Sequence, residues 1–173
     1  MALRTKKLAL FSLLCALSVV IGYFENLIPA FSVVPGGKIG LANAVTMVVF
    51  CFMGPVYALL FGVLRCFLSS VLYSGFFALF YSLAGTFCSV LSMTLAKKVL
   101  NDHVSEVGLS VIGAAFFNFG QLAVCAAVLW NVQVFRYFPA LLLISAFAGA
   151  ATGYAANNVN RYLHITVWKS SKK

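Results

Sequence analysis

Residues 35–43 read Pro35-Gly36-Gly37-Lys38-Ile39-Gly40-Leu41-Ala42-Asn43 and lie between two long apolar runs. The stretch contains three of the thirteen glycines of the chain and one of its four prolines. Gly36 and Gly37 permit positive φ angles and close approach of another group to the backbone. Pro35 fixes one φ angle and removes a hydrogen-bond donor. The stretch therefore predicts a turn between two segments of a largely apolar chain.

Lys38 follows this turn and stands at the predicted start of the next helix. The amino end of a helix carries partial positive charge, so a lysine there is unfavourable unless an anion lies nearby. Helix amino ends bind anions readily, and the anion could come from the protein or from a ligand. The alternative interpretation is a membrane re-entry turn whose lysine extends to the lipid headgroups.

The composition is that of an integral membrane protein. Of the 173 residues, 63% are hydrophobic and 9% are charged, and the mean hydropathy is +1.03, whereas a soluble domain has about a quarter charged residues. The apolar runs are continuous rather than alternating, which predicts helices, and helices satisfy their own backbone in lipid. We predict an all-α protein with a single membrane domain, residues 1–173, and six spans at about 8–24, 39–53, 56–72, 76–95, 109–130 and 138–156.

The distribution of Lys and Arg residues predicts the orientation of these spans. With both termini inside, the inside segments contain nine of the twelve Lys and Arg residues, and the outside loops contain Lys38 and Arg136. Cytoplasmic segments are enriched in Lys and Arg, so we predict that both termini are cytoplasmic. The expected location is the plasma membrane of a bacterium, which the chain crosses several times.

Charged and amide side chains within the spans are the strongest functional signal. Such groups are costly in a bilayer and usually mark function. Arg65 lies about 15 Å along the third span, and Asn118 and Gln121 share one face of the fifth, because residues three apart are neighbours on a helix. These polar groups fall near mid-depth or in the outer half, which predicts a pocket that opens to the outside and takes a ligand with an anionic group. The predicted pocket residues are Glu25, Gly36, Gly37, Lys38, Asn43, Arg65, Tyr81, Asn118 and Gln121.

Two structural alternatives apply to the same residues. Arg65 could pair with Glu25 and brace the bundle, since charges within a membrane usually find a partner. Asn118 and Gln121 could form hydrogen bonds between helices, which is a common role of amides there.

Signals of catalysis are weak in this chain. Asp and Glu total three, too few to form the carboxylate clusters that hold magnesium in prenyl diphosphate chemistry. The five cysteines form no CxxC pair, so neither a disulfide framework nor a metal site is predicted. We predict that the protein is not an enzyme, has no cofactor or metal, and does not bind nucleic acid.

Small residues predict where helices touch. Gly149 and Gly153 in the sixth span form a small-xxx-small pair, as do Ser12 and Ala16 in the first. Such pairs allow close approach of two backbones. The expected contact is within the protein or with another membrane subunit.

The stretch at residues 35–43, after a first span that ends near Glu25 and before further apolar spans, resembles the Gx transporter family. Its members are often labelled heptaprenyl diphosphate synthase component I. That family is similar to the substrate-binding S components of energy-coupling factor (ECF) importers. The resemblance implies a six-helix bundle, a substrate pocket near the outer face, and docking of the first helices onto a transmembrane coupling subunit driven by ATPases. The positions that match the docking motif are Ala9, Ser12 and Ala16.

Three functions remain open at this point. The first is a substrate-binding subunit of an ECF-type importer for a small vitamin-like molecule, or for a precursor of a quinone or isoprenoid, which is expected to be anionic. The second is a non-catalytic membrane subunit that partners a prenyl diphosphate synthase or an extracellular electron-transfer enzyme. The third is a solitary secondary transporter.

Overall fold

The computed structural model describes residues 2–27, 41–100 and 104–163, and every regular element within these ranges is helical. This confirms the predicted all-α fold. A π-helical turn at Ser70–Ser74 extends α3, and a 3₁₀ helix at Val132–Tyr137 precedes α6. The six α-helices are α1 (Ala2–Leu27), α2 (Leu41–Met53), α3 (Pro55–Ser69), α4 (Phe76–Leu100), α5 (Glu106–Leu129) and α6 (Phe138–Leu163).

Five of these helical segments are long and apolar enough to cross a membrane, and α2 is a shorter apolar helix. With 13 residues, α2 is about 20 Å long, whereas the hydrocarbon core of a bilayer is about 30 Å thick. The Nδ2 atom of Asn43, near the start of α2, donates to the Oγ atom of Ser89 at 3.2 Å. Ser89 is at the middle of α4. Asn43 is therefore level with the middle of the bundle.

The helix ends differ from the predicted span ends where polar residues continue a helix. Helix α6 runs to Leu163, so Asn157 belongs to it rather than to a polar tail. The hydropathy of the sequence marks only the apolar part of a helix, whereas the backbone hydrogen bonds of the same helix can continue through polar residues beyond it. The chain turns between α2 and α3 at Gly54, which has a φ of 98°, and Pro55 begins α3.

The helices form a ring in the order α1, α3, α4, α5, α6 and α2, and α2 also contacts α3 and α5 across it. Helix α2 is buried on nearly all sides, including every residue from Val45 to Phe50. A helix that is hydrophobic all round belongs in the interior of a bundle. The short α2 therefore lies inside one half of the bundle, and the side chains around it form the main apolar cluster.

Glycines allow the closest helix contacts. A Cβ atom on Gly149 or Gly153 would lie 2.7 Å from the Cα atom of Val111 or Val107, respectively, in α5. This confirms the predicted packing of the α6 glycine pair. The two small residues of α1 behave differently, because Ser12 and Ala16 are both exposed on the surface of the bundle.

Candidate functional site

The interior of the bundle contains five charged or amide side chains from the predicted pocket. Glu25, Asn43, Arg65, Asn118 and Gln121 are each at least nine-tenths buried. Side chains of these types are seldom buried unless they are paired. Their hydrogen bonds therefore show whether each residue serves packing or is available to a ligand.

Arg65 lies on the inward face of α3 and is 7% exposed. Its Nη2 atom is 3.9 Å from the Sγ atom of Cys66, and its Nε atom has no hydrogen-bond partner. Sulfur is a weak acceptor, whereas a buried guanidinium needs strong acceptors to offset the loss of water. The Cys66 thiol is also in contact with the Thr86 hydroxyl of α4, at 3.4 Å. Within the part of the chain that the structure describes, Arg65 thus retains an unused donor.

Glu25 joins the carboxyl-terminal end of α1 to the first turn of α2. Its Oε2 atom accepts a hydrogen bond from the backbone nitrogen of Ala42 at 3.4 Å, and the buried Ser18 hydroxyl donates to the Ala42 carbonyl at 3.3 Å. A carboxylate is favourable at a helix amino end because it opposes the partial positive charge there. Glu25 thus places a carboxylate at the start of this helix. Lys38, Gly36 and Gly37 lie outside the described residues.

Asn43 borders a small cavity between α2, α4, α5 and α6. Its Nδ2 atom donates to Ser89, but its Oδ1 atom has no hydrogen-bond partner among the described residues. The hydroxyls of Ser110 and Thr152 also line the cavity and are 2.9 Å apart. The cavity volume is about 10 Å³, which is room for about one water molecule. The site is therefore suited to water rather than to a larger ligand.

Asn118 connects α5 with α6. Its Nδ2 atom donates to the Ser145 hydroxyl at 2.6 Å and to the Leu141 carbonyl at 3.5 Å. Within residues 2–27, 41–100 and 104–163, its Oδ1 atom has no hydrogen-bond partner, and neither has the Nε2 atom of Gln121, one turn further along α5. Asn118 thus has a packing role and also a free acceptor. Tyr81 is only partly buried, and it packs against the apolar cluster near the outer end of α5 and α6.

The structure arranges the predicted residues in two groups. Glu25 and Arg65 lie on α1 and α3, which are in contact with each other. Asn118 and Gln121 lie on α5, next to α6. Asn43 on α2 stands between them, because α2 contacts α1, α3, α5 and α6. The hydrogen bonds given above join Asn43 to α4 and Asn118 to α6, and they do not connect Arg65 with Asn118.

Several hydroxyls that complete these contacts were missed from the sequence. Ser145 and Ser18 are fully buried hydrogen-bonding partners, and Thr46, one turn after Asn43, has a buried hydroxyl that finds no partner in the described part of the chain. Single Ser and Thr residues are common in membrane helices and carry little signal alone. The spacing of seven between Ser145 and Thr152 was a sign that both lie on one face of α6.

The candidate docking residues Ala9, Ser12 and Ala16 are all exposed on α1. The Ser12 hydroxyl donates to the Leu8 carbonyl at 3.1 Å, within its own helix. A hydroxyl satisfied in this way can face lipid or another helix without losing a hydrogen bond. The Ser12 hydroxyl therefore does not prevent this face of α1 from contacting lipid or another helix.

A protein-family model described as heptaprenyl diphosphate synthase component I matches residues 14–159. The chain belongs to this family. The match covers all six helices in whole or in part and confirms the resemblance seen in the sequence. The description of the component I family names one part of a synthase, which implies a partner synthase component. No match is found among curated proteins or among solved structures.

Proposed function

We propose that this component I family member is a substrate-binding membrane subunit that captures a small anionic molecule for an ECF-type importer. The observation that supports the proposal is Arg65, which is 7% exposed and whose Nε donor has no partner among the residues that the structure describes. A buried charge without strong acceptors costs several kcal/mol. An anionic ligand would offset this cost by accepting hydrogen bonds from the guanidinium.

The chemistry of arginine indicates the class of ligand. Its planar guanidinium offers five donors in a fixed arrangement that matches a carboxylate or a phosphate in two hydrogen bonds. The unused Oδ1 atoms of Asn43 and Asn118 and the unused Nε2 atom of Gln121 supply both acceptors and donors nearer α5. A vitamin-like acid, or a precursor of a quinone or isoprenoid with a carboxylate or phosphate, has both kinds of group.

Binding of such a molecule requires the helices to separate. The cavity beside Asn43 has a volume of about 10 Å³, whereas pockets for small organic ligands are about 300–1,000 Å³. The sequence contains no nucleotide-binding motif, so energy for release would come from partners. The exposed face of α1 at Ala9, Ser12 and Ala16 is the surface that we assign to a coupling subunit driven by ATPases.

The test is native mass spectrometry of protein purified gently from its own membranes. We expect a bound small molecule on the wild type and its loss from Arg65→Gln, because the substitution removes the charge and most donors. Arg136→Gln is the matched control, since Arg136 is exposed and lies outside the buried polar groups. Wild-type protein that is consistently empty would contradict the proposal. Equal ligand occupancy in the wild type and Arg65→Gln would also contradict it.

The family description favours a second candidate, a non-catalytic membrane subunit that partners a prenyl diphosphate synthase. In that case the basic inside segments would contact the synthase, and the buried polar residues would serve only packing. Empty protein that co-purifies with a synthase, from both the wild type and Arg65→Gln, would support this candidate instead of substrate capture.

A further inference from the structure

The cavity beside Asn43 has a hydrogen-bond acceptor in its wall that the protein leaves unused. Asn43 of α2 lines this cavity together with Ser110 of α5 and Thr152 of α6. It is at least nine-tenths buried, and its Oδ1 atom has no hydrogen-bond partner in the part of the chain that the structure describes. A buried polar atom without a partner is costly, so this amide oxygen indicates a bound molecule that supplies a donor.

The two hydroxyls of the cavity are also available only as acceptors. A hydroxyl has one proton and two lone pairs. Thr152 donates its proton to the Gly149 carbonyl at 3.1 Å, so in the 2.9 Å contact between Thr152 and Ser110 the proton comes from Ser110. Both protons are thus used within the protein. The lone pairs that remain, together with those of the Asn43 Oδ1 atom, select a bound molecule that donates hydrogen bonds.

The size of the cavity and its wall select water among the possible donors. The cavity volume of about 10 Å³ is room for about one water molecule, and a buried water usually has two to four polar partners. Asn43, Ser110 and Thr152 provide three such partners. Metal cations such as calcium and magnesium take about six or more oxygen ligands, and the described residues that line the cavity include no carboxylate.

We propose that one buried water molecule occupies this cavity and joins α2 to α5 and α6. It donates one hydrogen bond to the Oδ1 atom of Asn43 and the other to the hydroxyl pair of Ser110 and Thr152. Asn43 is then held on two sides, because its Nδ2 atom donates to Ser89 of α4 at 3.2 Å. The water site does not depend on substrate capture, and a substrate group that binds the Asn43 Oδ1 atom would take the place of this water.

Two buried methionines can report on this water. Met47 of α2 and Met93 of α4 line the cavity and are 2% and 1% exposed, respectively. A Cβ atom built on Gly113 would lie 2.8 Å from the Met93 Sδ atom and 3.1 Å from the Ser89 Oγ atom, so this sulfur lies close to the hydroxyl that binds Asn43. Hydroxyl radicals oxidise a thioether to a sulfoxide. Because X-rays generate such radicals from water where it is bound, a water in the cavity exposes these buried sulfurs to oxidation.

The test is synchrotron X-ray footprinting of the protein in nanodiscs, with oxidation of each residue measured by mass spectrometry. Ala148→Val enlarges a side chain in the wall of the cavity and leaves the hydroxyls and the amide in place. Ala146→Val is the matched control, because Ala146 is exposed on the same helix. Cys125 is the internal reference, since it is 3% exposed and packs in a separate apolar cluster.

We expect at least one of Met47 and Met93 to be oxidised faster than Cys125 in the wild type and in Ala146→Val. Ala148→Val is expected to lose this oxidation, because the larger side chain displaces the water. Replacement of sodium chloride by choline chloride should leave the oxidation unchanged. Oxidation that rises when sodium is removed would overturn the inference, because a sodium ion rather than water would then occupy the cavity.

The inference would also be overturned if neither methionine were oxidised faster than Cys125, or if oxidation were equal in Ala148→Val and the wild type. If Ala148→Val does not fold, Ala114→Val replaces it, because Ala114 lines the same cavity from α5. That variant is also expected to lose the methionine oxidation, and unchanged oxidation would overturn the inference. Native mass spectrometry of Arg65→Gln tests substrate capture separately.

Discussion

The contact between α5 and α6 allows a quantitative prediction from two glycines. In the double variant Gly149→Ala with Gly153→Ala, each added methyl group would lie 2.7 Å from a Cα atom of α5. Carbon atoms that do not share bonds prefer about 3.5–4.0 Å. The two helices would therefore have to move apart by about 1 Å at two successive turns. A backbone cannot rotate out of the way as a flexible side chain can.

The expected magnitude follows from two opposing terms. Overpacking costs about 1–3 kcal/mol at each site, whereas replacement of glycine by alanine within a helix favours folding by about 1 kcal/mol. The net effect for two sites is a loss of about 2 kcal/mol in the free energy of unfolding. Gly108→Ala is the control, because its Cβ atom would meet only side-chain atoms, the nearest at 3.3 Å. That variant is expected to be unchanged or more stable by up to about 1 kcal/mol.

The assay is reversible unfolding in mixed micelles with increasing sodium dodecyl sulfate, followed by circular dichroism. The double variant should unfold at a lower detergent fraction than the wild type, and Gly108→Ala at an equal or higher one. If the double variant were as stable as Gly108→Ala, α5 and α6 would not be in backbone contact. The packing of the whole bundle as described here would then be wrong.

Three further predictions concern packing, the turn before α3, and orientation. Ser145→Ala removes the hydroxyl that accepts a 2.6 Å hydrogen bond from Asn118, and it should lower the free energy of unfolding by about 0.6–1.7 kcal/mol in the same assay. An unchanged free energy of unfolding would mean that this hydrogen bond is absent. Gly54→Ala should cost about 1–2 kcal/mol there, because Gly54 has a φ of 98°, and a stabilised variant would contradict this turn. Trp130 is 96% exposed and lies on the predicted outer side, so Trp130→Cys in a variant without the native cysteines should react with an impermeant maleimide added to intact cells. Reaction only after lysis would reverse the predicted orientation.

The sequence is sufficient to predict the helices of this fold. Long continuous apolar runs indicate helices in lipid, and the turn at Gly54-Pro55 and the close packing of Gly149 and Gly153 both follow from local residue types. The short second span was also visible as a run of about 15 residues ending at Met53. These features depend on neighbours along the chain and therefore need no knowledge of the tertiary arrangement.

The positions of the interior side chains could not be predicted in the same way. The contact of Glu25 with Ala42 joins residues on two helices, and its existence depends on how deep α2 begins. Asn118 was identified as a buried amide, but its partner Ser145 lies on α6 and has no distinctive sequence context. Whether Arg65 has an oxygen acceptor depends on the ring order of the helices, which apolar runs do not encode.

The most direct test of substrate capture is an experimental structure of the protein extracted gently in its native lipid and held by a rigid antibody fragment. The account predicts non-protein density within hydrogen-bonding distance of the Arg65 guanidinium, and loss of that density in Arg65→Gln. An Arg65 side chain whose donors are all satisfied by protein oxygen atoms, with no additional density beside it, would contradict the account.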